Sequence, residues 1–203
     1  MPTTTSASEA RHALMLATEE LYSTEGPGVS LRTIAQAAGQ RNNSAVNYHF
    51  GSREGLEEAI VATRTGAMEQ RRLEQLASLT GEEPSLGQLT HVLVEPMLTT
   101  PAEQGATHYA RFVEVVRARP AMLEHHDEAP TDGDPLWRAS HQVTRLIARH
   151  LTHLDKAARV RRVTAMSTTL FALAADRERA LTEGEDAQSP EEITTLLVGL
   201  LQA

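Results

Sequence analysis

The chain contains no cysteine, which excludes disulfide bonds and thiolate metal ligands. Aromatic residues make up only 3% of its 203 residues. No apolar run approaches the roughly 20 residues that a membrane-spanning helix needs, so no membrane span is expected. The Ser- and Thr-rich start lacks the basic region and apolar core of a signal peptide. These absences predict a soluble, cytoplasmic protein.

The chain also lacks the short motifs that position catalytic groups or phosphates. It has no Gly-x-Ser-x-Gly elbow, no P-loop and no glycine-rich dinucleotide turn. His125 and His126 lie in an acidic segment, and His150 and His153 have the spacing of one helix face, but neither pair matches a defined zinc signature. We therefore predict no enzymatic activity, no metal site and no cofactor, with a metal-dependent hydrolase as a minor alternative.

The net charge of −8 at pH 7 is unevenly spread. Residues 1–55 hold four arginines and five glutamates, a net charge of −1, and the remainder holds 15 basic and 22 acidic residues, a net charge of −7. The N-terminal part is therefore nearly neutral. A nucleic-acid partner there would have to be held by locally placed arginines, amides and helix N-termini, because there is no broad basic field.

Helical patterns fill the rest of the sequence, and no alternation typical of strands persists for more than a few residues. Apolar spacing predicts helices from about 8 to 25, from 53 to about 78 and from 156 to about 183, and a last helix at 189–202. Residues 1–7 are predicted to fray. The sequence therefore predicts an all-α protein of about nine helices.

Polar residues and prolines mark the predicted helix starts. The predicted N-caps are Ser52, Ser85, Asp155 and Ser189. Residues 100–103, Thr-Pro-Ala-Glu, form a capping box that predicts the start of the helix carrying Tyr109. Pro96 is predicted to kink or shorten the preceding helix. The residues of the 53–78 helix that share one face at helical spacing are Leu56, Ala59, Ile60, Thr63 and Ala67. A short helical turn at 120–126 and an acidic loop at 127–134 are expected in between.

Residues 30–50 have the layout of a helix-turn-helix. Ser30 is the predicted N-cap of a short helix, and Gly39 marks its end. The apolar stripe of this helix is Leu31, Ile34, Ala35 and Ala38. Asn42 or Asn43 can cap a second short helix. The apolar set of that second helix is Ala45, Val46 and Phe50. Small and amide side chains on its outer face suit the edges of bases.

The order of these features resembles the DNA-binding region of the TetR family of transcriptional regulators, across residues 13–60. The matching pattern is a first helix ending Leu21-Tyr22, the Gly26–Gly28 turn, residues 30–39, Tyr48-His49-Phe50, and a fourth helix opening Ser52-Arg53-Glu54-Gly55-Leu56. One residue more than the usual spacing separates Gly39 from Phe50, and Asn47 holds the commonest tyrosine position, with Tyr48 next. We therefore predict a turn one residue longer. Apolar stripes alone would fit any helical bundle, but this ordered pattern favours DNA binding.

The resemblance implies a helix-turn-helix DNA-binding domain of three helices at 1–52 and a helical effector-binding and dimerisation domain at 53–203. It also implies a homodimer formed through helices 156–183 and 189–202, bound to a palindromic operator in double-stranded DNA. The implied function is that of a repressor that a small-molecule effector releases from DNA. The alternative is a helical sensor or small-molecule-binding protein without sequence-specific DNA binding.

Ten residues are candidate DNA contacts. Ala45 and Asn47 are predicted to face bases, since an asparagine amide can pair with N6 and N7 of adenine. The candidates at the start of the second helix are Arg41, Asn42, Asn43 and Ser44, of which one asparagine can be only the cap. The candidates for the phosphate backbone are Ser30, Tyr48, His49 and Arg53.

The middle helices, roughly 56–154, are implied to form the effector pocket. Its candidate lining residues are Met97, Tyr109, Phe112, Val116, Trp137 and His141. Ordinary core packing is an equal interpretation for each of them. Arg111 and Arg117, on the same segment, can recognise an anionic group or form a solvated helix face.

Overall fold

The computed structural model describes residues 4–79, 83–117 and 135–203. Within those ranges the chain forms nine α-helices and one short 3-10 turn and contains no strand, which confirms the all-α prediction. The helices are α1 Thr4–Glu25, α2 Leu31–Ala37, α3 Ala45–Phe50, α4 Arg53–Ser78, α5 Leu86–Glu103, α6 Tyr109–Arg117, α7 Arg138–His150, α8 Lys156–Glu183 and α9 Pro190–Gln202. The 3-10 turn, Pro135–Trp137, leads into α7. The helical turn predicted at 120–126 and the acidic loop predicted at 127–134 lie outside the described residues. Across the described residues, no helix combines the length and apolar character that crossing a bilayer requires.

The predicted N-caps bond to the first turns of their helices. In each case the side-chain oxygen accepts a hydrogen bond from the backbone N–H of the residue three positions later, at 2.7–3.2 Å. The five caps are Ser30, Ser52, Ser85, Asp155 and Ser189. At Ser85 and Ser189 the side chain of that third residue also reaches back to the N–H of the cap, which completes a capping box. Because each bond spans only three residues, the sequence alone places these helix starts.

Two helix boundaries differ from the prediction. Helix α1 already includes residues 4–7, which were predicted to fray. Helix α5 continues through Pro96 and Pro101, and the next helix begins at Tyr109, so the predicted start at 100–103 is wrong. A proline inside a helix removes a backbone hydrogen bond and crowds the preceding turn. Burial of α5 on several neighbours offsets that loss, because nine of its 18 residues are buried.

Two apolar clusters hold the helices together. The first joins α1–α4 to α5, α6 and α8 and includes Leu14, Tyr22, Ile34, Val46, Leu56, Tyr109, Phe112 and Ala174. The second joins α5, α7, α8 and α9 and includes Leu89, Val94, Val143, Ile147, Met166, Leu170, Ile193 and Leu197. The first cluster crosses the predicted domain boundary between residues 52 and 53. The head (α1–α3) therefore packs directly on helices of the C-terminal part.

The inner face of α4 contains charged residues that its apolar spacing did not predict. Leu56 and Ile60 are fully buried as expected, but Thr63 is exposed. Arg64 and Arg72 are buried instead. Arginine is almost never fully buried without a partner, so each must be paired.

Arg64 joins α4 to two other parts of the fold. Its Nε and Nη2 donate to the two carboxylate oxygens of Glu19 on α1, at 3.0 and 3.3 Å. Its Nη1 donates to Oε1 of Gln104, just after α5, at 2.9 Å. Both side chains of the ion pair are 1% exposed. Burial raises the pKa of Glu19, and Arg64 opposes that rise.

Glu69 connects α4 to the start of α7. Its Oε1 accepts from Nη1 of Arg72 at 3.0 Å. The same carboxylate accepts the backbone N–H groups of Ala139 at 2.5 Å and Ser140 at 3.1 Å. A carboxylate at a helix N-terminus also interacts favourably with the helix dipole. The α4 charges therefore fix neighbouring helices.

Candidate nucleic-acid interface

The residues predicted to bind DNA lie on α2, α3 and the turn between them. Ile34 anchors α2 with no exposed surface. Gly39 takes a φ of 69°, a left-handed conformation that glycine adopts readily at the end of a helix. The chain then reverses direction, and the N–H of Gln40 donates to the carbonyl of Ala35 at 2.8 Å. Val46, also fully buried, anchors the six-residue helix α3.

Asn42 closes this turn. Its Oδ1 accepts the N–H of Ser44 at 2.9 Å, and its carbonyl accepts the N–H of Ala45 at 3.0 Å. An asparagine side chain that bonds to the backbone two residues on is a common way to build a turn. The N-cap of α3 is Ser44, so the prediction that Asn42 or Asn43 caps this helix is wrong. Asn42 instead has a structural role in the turn, and Asn43 stays a predicted base contact.

The outer side of the turn and of α3 is a polar surface, here called the recognition surface. Its exposed members are Arg41, Asn42, Asn43, Ser44, Asn47 and Tyr48. Ser44, Asn47 and Tyr48 share one face because they are three and four residues apart. Tyr48 is 76% exposed, which is unusual for so large an aromatic side chain. Amides, hydroxyls and an arginine on one face can contact both base edges and phosphates.

Ala45 does not belong to the recognition surface. Its side chain is 4% exposed and lies in the first apolar cluster beside Val46. The prediction that Ala45 faces a base is therefore wrong, and its assignment to the apolar set is confirmed. The reason is that α3 uses these two consecutive positions to anchor itself, which leaves the next two, Asn47 and Tyr48, outside.

Arg53 also faces the protein. Its guanidinium donates to Oη of Tyr22 at 2.7 Å, to the carbonyl of Pro27 at 3.1 Å and to the carbonyl of Val29 at 2.5 Å. The hydroxyl of Tyr22 donates to Glu57 at 2.6 Å, and burial, followed by Glu57, raises the pKa of Tyr22. With its guanidinium committed to these acceptors, Arg53 is a structural residue that fixes the start of α4. Because its side chain is half-exposed, Arg53 also stays a predicted phosphate contact.

Two other predicted phosphate contacts have local partners as well. Ser30 is exposed, but its Oγ caps α2 and lies 2.7 Å from Oγ1 of Thr33. His49 is half-buried, with its ring edge-on to that of Tyr48 at 4.8 Å between centroids. Both residues stay predicted contacts.

Arg11 on α1 is a residue that the sequence did not single out. Its Nη1 donates to the backbone carbonyl of His49, and its guanidinium lies 4.3 Å from the ring centroid of Phe50. Arg11 therefore ties the end of α3 to α1 and brings a positive charge next to the recognition surface. No local pattern reveals it, because an exposed arginine on a helix usually has no specific partner.

The six predicted pocket residues lie in different environments. Tyr109, Phe112 and Val116 are buried in the first apolar cluster. Trp137 and His141 are half-buried, just before and within the first turn of α7. Met97 is the member of the six that lines a cavity of about 290 Å³ between α5, α6 and α8. Met97 therefore stays a predicted pocket residue, and the burial of Tyr109, Phe112 and Val116 favours the alternative of ordinary core packing for these three.

Within the described residues, no group of three or more histidine, aspartate or glutamate side chains could hold a metal ion. His150 is the last residue of α7 and His153 lies in the following turn, so the predicted helical spacing of this pair is wrong. The pair His125 and His126 lies outside the described residues.

No protein-family model matches the sequence, and no curated protein matches it either. Among solved structures, the chain is similar to a protein from Rhodococcus sp. with the provisional description of a TetR-family transcriptional regulator. The two share 20% identity and a TM-score of 0.56, over 96% of this chain and 97% of that protein. A protein from Rhodococcus sp. RHA1, provisionally described as a transcriptional regulator, shares 22% identity over 95% of each chain, with a TM-score of 0.45. The chain therefore has, over almost its whole length, the all-α fold of the first of these proteins.

Proposed function

We propose that this chain is a TetR-type transcriptional repressor that binds a palindromic operator as a homodimer and is released by a small-molecule effector. The observation that supports this most directly is the recognition surface, whose amides, hydroxyls and one arginine lie exposed on the turn before α3 and on α3 itself, while Ala45 and Val46 of that helix are buried. The fold shared with a described regulator agrees with it. A DNA-binding regulator of this kind would act in the cytoplasm.

In this proposal α3 and the turn before it enter the major groove of DNA. The groove is about 12 Å wide and accepts a helix. Asn47 and Asn43 would contact base edges, and Tyr48, Ser30 and His49 would contact phosphates. Arg11 would place a positive charge near the same backbone. Since the head is almost neutral, affinity depends on these few contacts.

The proposed dimer forms through α8 and α9, the helices at 156–183 and 189–202. Val160 on α8 is 60% exposed and Leu196 on α9 is 51% exposed, and Gly199 on the same helix is exposed as well. Large apolar side chains and small residues on two adjacent helices suit burial against a second copy, as in a four-helix bundle. Two-fold symmetry would then place the recognition surfaces on half-sites about one DNA turn, roughly 34–36 Å, or somewhat more apart.

Release requires an effector that binds one orientation of the heads better than the other. The head rests on α4 through the Glu19–Arg64 pair and on α6 through the first apolar cluster. An effector that moves α4 or α6 would therefore move the head.

The test is selection of duplexes from a random library by the purified protein at moderate salt. The wild type should enrich a palindrome, and the Asn47→Ala, Tyr48→Ala double variant should not. Gln142→Ala, which removes an exposed amide on α7, is the matched control and should enrich the same palindrome. A folded wild type that enriches no sequence would refute the proposal.

The alternative, a helical sensor that does not bind DNA specifically, is favoured by the nearly neutral head. Salt dependence separates the two functions. A DNA-binding head loses affinity steeply as salt rises, because each phosphate contact releases counterions. DNA binding that is weak and equal for all sequences would favour the sensor.

A further inference from the structure

The cavity between α5, α6 and α8 is mainly apolar, with one carboxylate and one guanidinium in its wall. Its apolar lining includes Met97, Leu98, Pro101, Ala106, Ala174 and Leu181. The carboxylate is that of Glu178 on α8. A volume of about 290 Å³ is at the lower end of small-molecule sites, which run from roughly 300 to 1,000 Å³. The space therefore suits a small molecule.

Glu178 is held in place by the start of α6. Its Oε1 accepts the N–H of Ala110 at 2.8 Å and its Oε2 accepts the N–H of Arg111 at 3.0 Å. The side chain is only 16% exposed. Burial raises the pKa of Glu178 to about 7, although both backbone bonds and the charge of Arg111 oppose the rise. Ionising Glu178 in this position therefore costs more free energy than ionising an exposed glutamate.

The charged groups around the cavity do not give Glu178 a short ion pair. Nε of Arg111 lies 4.0 Å from the carboxylate, and its Nη2 donates to Oγ1 of Thr182 at 3.3 Å. Nε of Arg177, in the cavity wall, donates to the carbonyl of Gln188 at 2.9 Å. Among the other groups, Glu19 on α1 raises the pKa of Glu178 further. Burial and the charge of Arg111 lower the pKa of His108, which disfavours its cationic form.

We propose that this cavity binds a small apolar molecule with an ammonium group, and that the ammonium forms an ion pair with Glu178. The apolar walls would cover the hydrocarbon part, and a charge-assisted hydrogen bond to a desolvated carboxylate is among the strong ones. An anionic ligand would meet the like charge of ionised Glu178, and the guanidinium of Arg177 in the same wall already donates to the carbonyl of Gln188. Only the identification of this molecule with the effector rests on the proposed function, whereas the binding itself does not.

Binding should also release a proton. With a pKa of about 7, roughly half of the Glu178 side chains are protonated at pH 7. An ammonium favours the ionised form, so each binding event displaces that fraction of a proton. The release appears as a dependence of the measured binding heat on the ionisation enthalpy of the buffer. A purely structural glutamate would give no such signal.

The test is isothermal titration calorimetry at pH 7 in two buffers, with hexylamine as the probe and hexanol and hexanoate as matched ligands. Hexylamine should bind the wild type at least about tenfold more tightly than hexanol, in keeping with about 1.4 kcal/mol for an added charge-assisted bond. Hexanoate should bind more weakly than either, and about half a proton should be released with hexylamine.

Glu178→Gln should remove both the preference for hexylamine and the proton release. The control is Glu114→Gln, which changes a half-exposed carboxylate on α6 that pairs with Arg179 and should leave both unchanged. Ala102→Trp, at the exposed rim of the cavity, should weaken the binding of all three probes. If Glu178→Gln does not fold, Ala102→Trp and the proton release of the wild type decide the question.

Equal affinity for hexylamine and hexanol, a preference that persists in folded Glu178→Gln, or no hexylamine binding to the folded wild type would each overturn this inference. The outcome is independent of DNA. A selected palindrome without amine binding would refute the inference and leave the regulator intact. Amine binding without a selected palindrome would support the inference and refute the regulator.

Discussion

The buried ion pair between Glu19 and Arg64 gives a sharp test of how the head is attached. Arg64→Met removes the cation and leaves the carboxylate of Glu19 buried without its charge partner. Breaking one side of a buried ion pair costs roughly 3–5 kcal/mol. Domains of this size are stable by about 5–15 kcal/mol in total, so the variant should lose a large fraction of its stability.

The double variant Glu19→Met, Arg64→Met should recover most of that loss. Replacing both members of a buried pair with apolar residues of similar volume is often neutral or stabilising, because neither charge then has to be desolvated. The matched control is Arg71→Met. Arg71 pairs with Glu95 at 2.7 Å but is 39% exposed, so its loss should cost less than about 1 kcal/mol.

Urea unfolding followed by circular dichroism measures these differences from the midpoint and slope of each curve. Burial already raises the pKa of Glu19, and removing Arg64 raises it further. A carboxyl whose pKa is higher in the folded state than in the unfolded state favours folding when it is protonated. The deficit of Arg64→Met should therefore shrink as the pH falls toward the usual pKa of glutamate. A loss below about 1 kcal/mol, or a double variant as unstable as the single one, would refute this reasoning.

Three further predictions concern other parts of the fold. Val46→Ala should lower the free energy of unfolding, measured in urea, by about 2 kcal/mol and should weaken operator binding, since it removes the buried anchor of α3. Unchanged stability would contradict this prediction. The pKa of Glu178 is about 7 in the folded state and near 4.5 in the unfolded state, so ionising this side chain opposes folding. As the pH rises from 4.5 to 7, the wild type should lose up to about 3 kcal/mol of stability relative to Glu178→Gln. Parallel pH profiles of stability for the two proteins would exclude that pKa shift. Leu196→Asp should give a folded monomer by sedimentation velocity, because its half-exposed side chain lies in the proposed dimer interface, and a persistent dimer would place the interface elsewhere.

The helix starts could be predicted from the sequence wherever the decisive bond is local. Ser30 and Asp155 are examples, because the N–H group that each one accepts lies only three residues away. Residues 100–103 show the limit of such signals. The same Thr-Pro-Ala-Glu pattern that opens one helix can lie inside another, and the burial of α5 decides between them.

The fine structure of the candidate interface depends on contacts that are distant in the sequence. Ala45 fitted both an apolar set and a base-facing position, and only its packing in the first cluster decides between them. Arg53, predicted to contact a phosphate, also donates to Tyr22 and to two carbonyls of the α1–α2 turn. Arg11 contacts a carbonyl 38 residues away. Side-chain type alone does not distinguish a structural arginine from one that binds DNA.

The α5–α6 loop, whose Ala106 and Thr107 line the cavity between α5, α6 and α8, is linked by side-chain contacts to the recognition surface. Gln104, in the same loop, accepts from Arg64, and Arg64 pairs with Glu19 on α1. Farther along the same helix, Arg11 donates to the carbonyl of His49 at the end of α3. Breaking the Glu19–Arg64 ion pair would leave a buried charge without a partner, which costs free energy. When the loop shifts, moving α1 and α4 together therefore costs less than breaking the pair. Packed or bonded elements of this kind carry energetic coupling when they move as units. The buried ion pair would therefore act as the rigid connection through which an occupied cavity changes the position of α3.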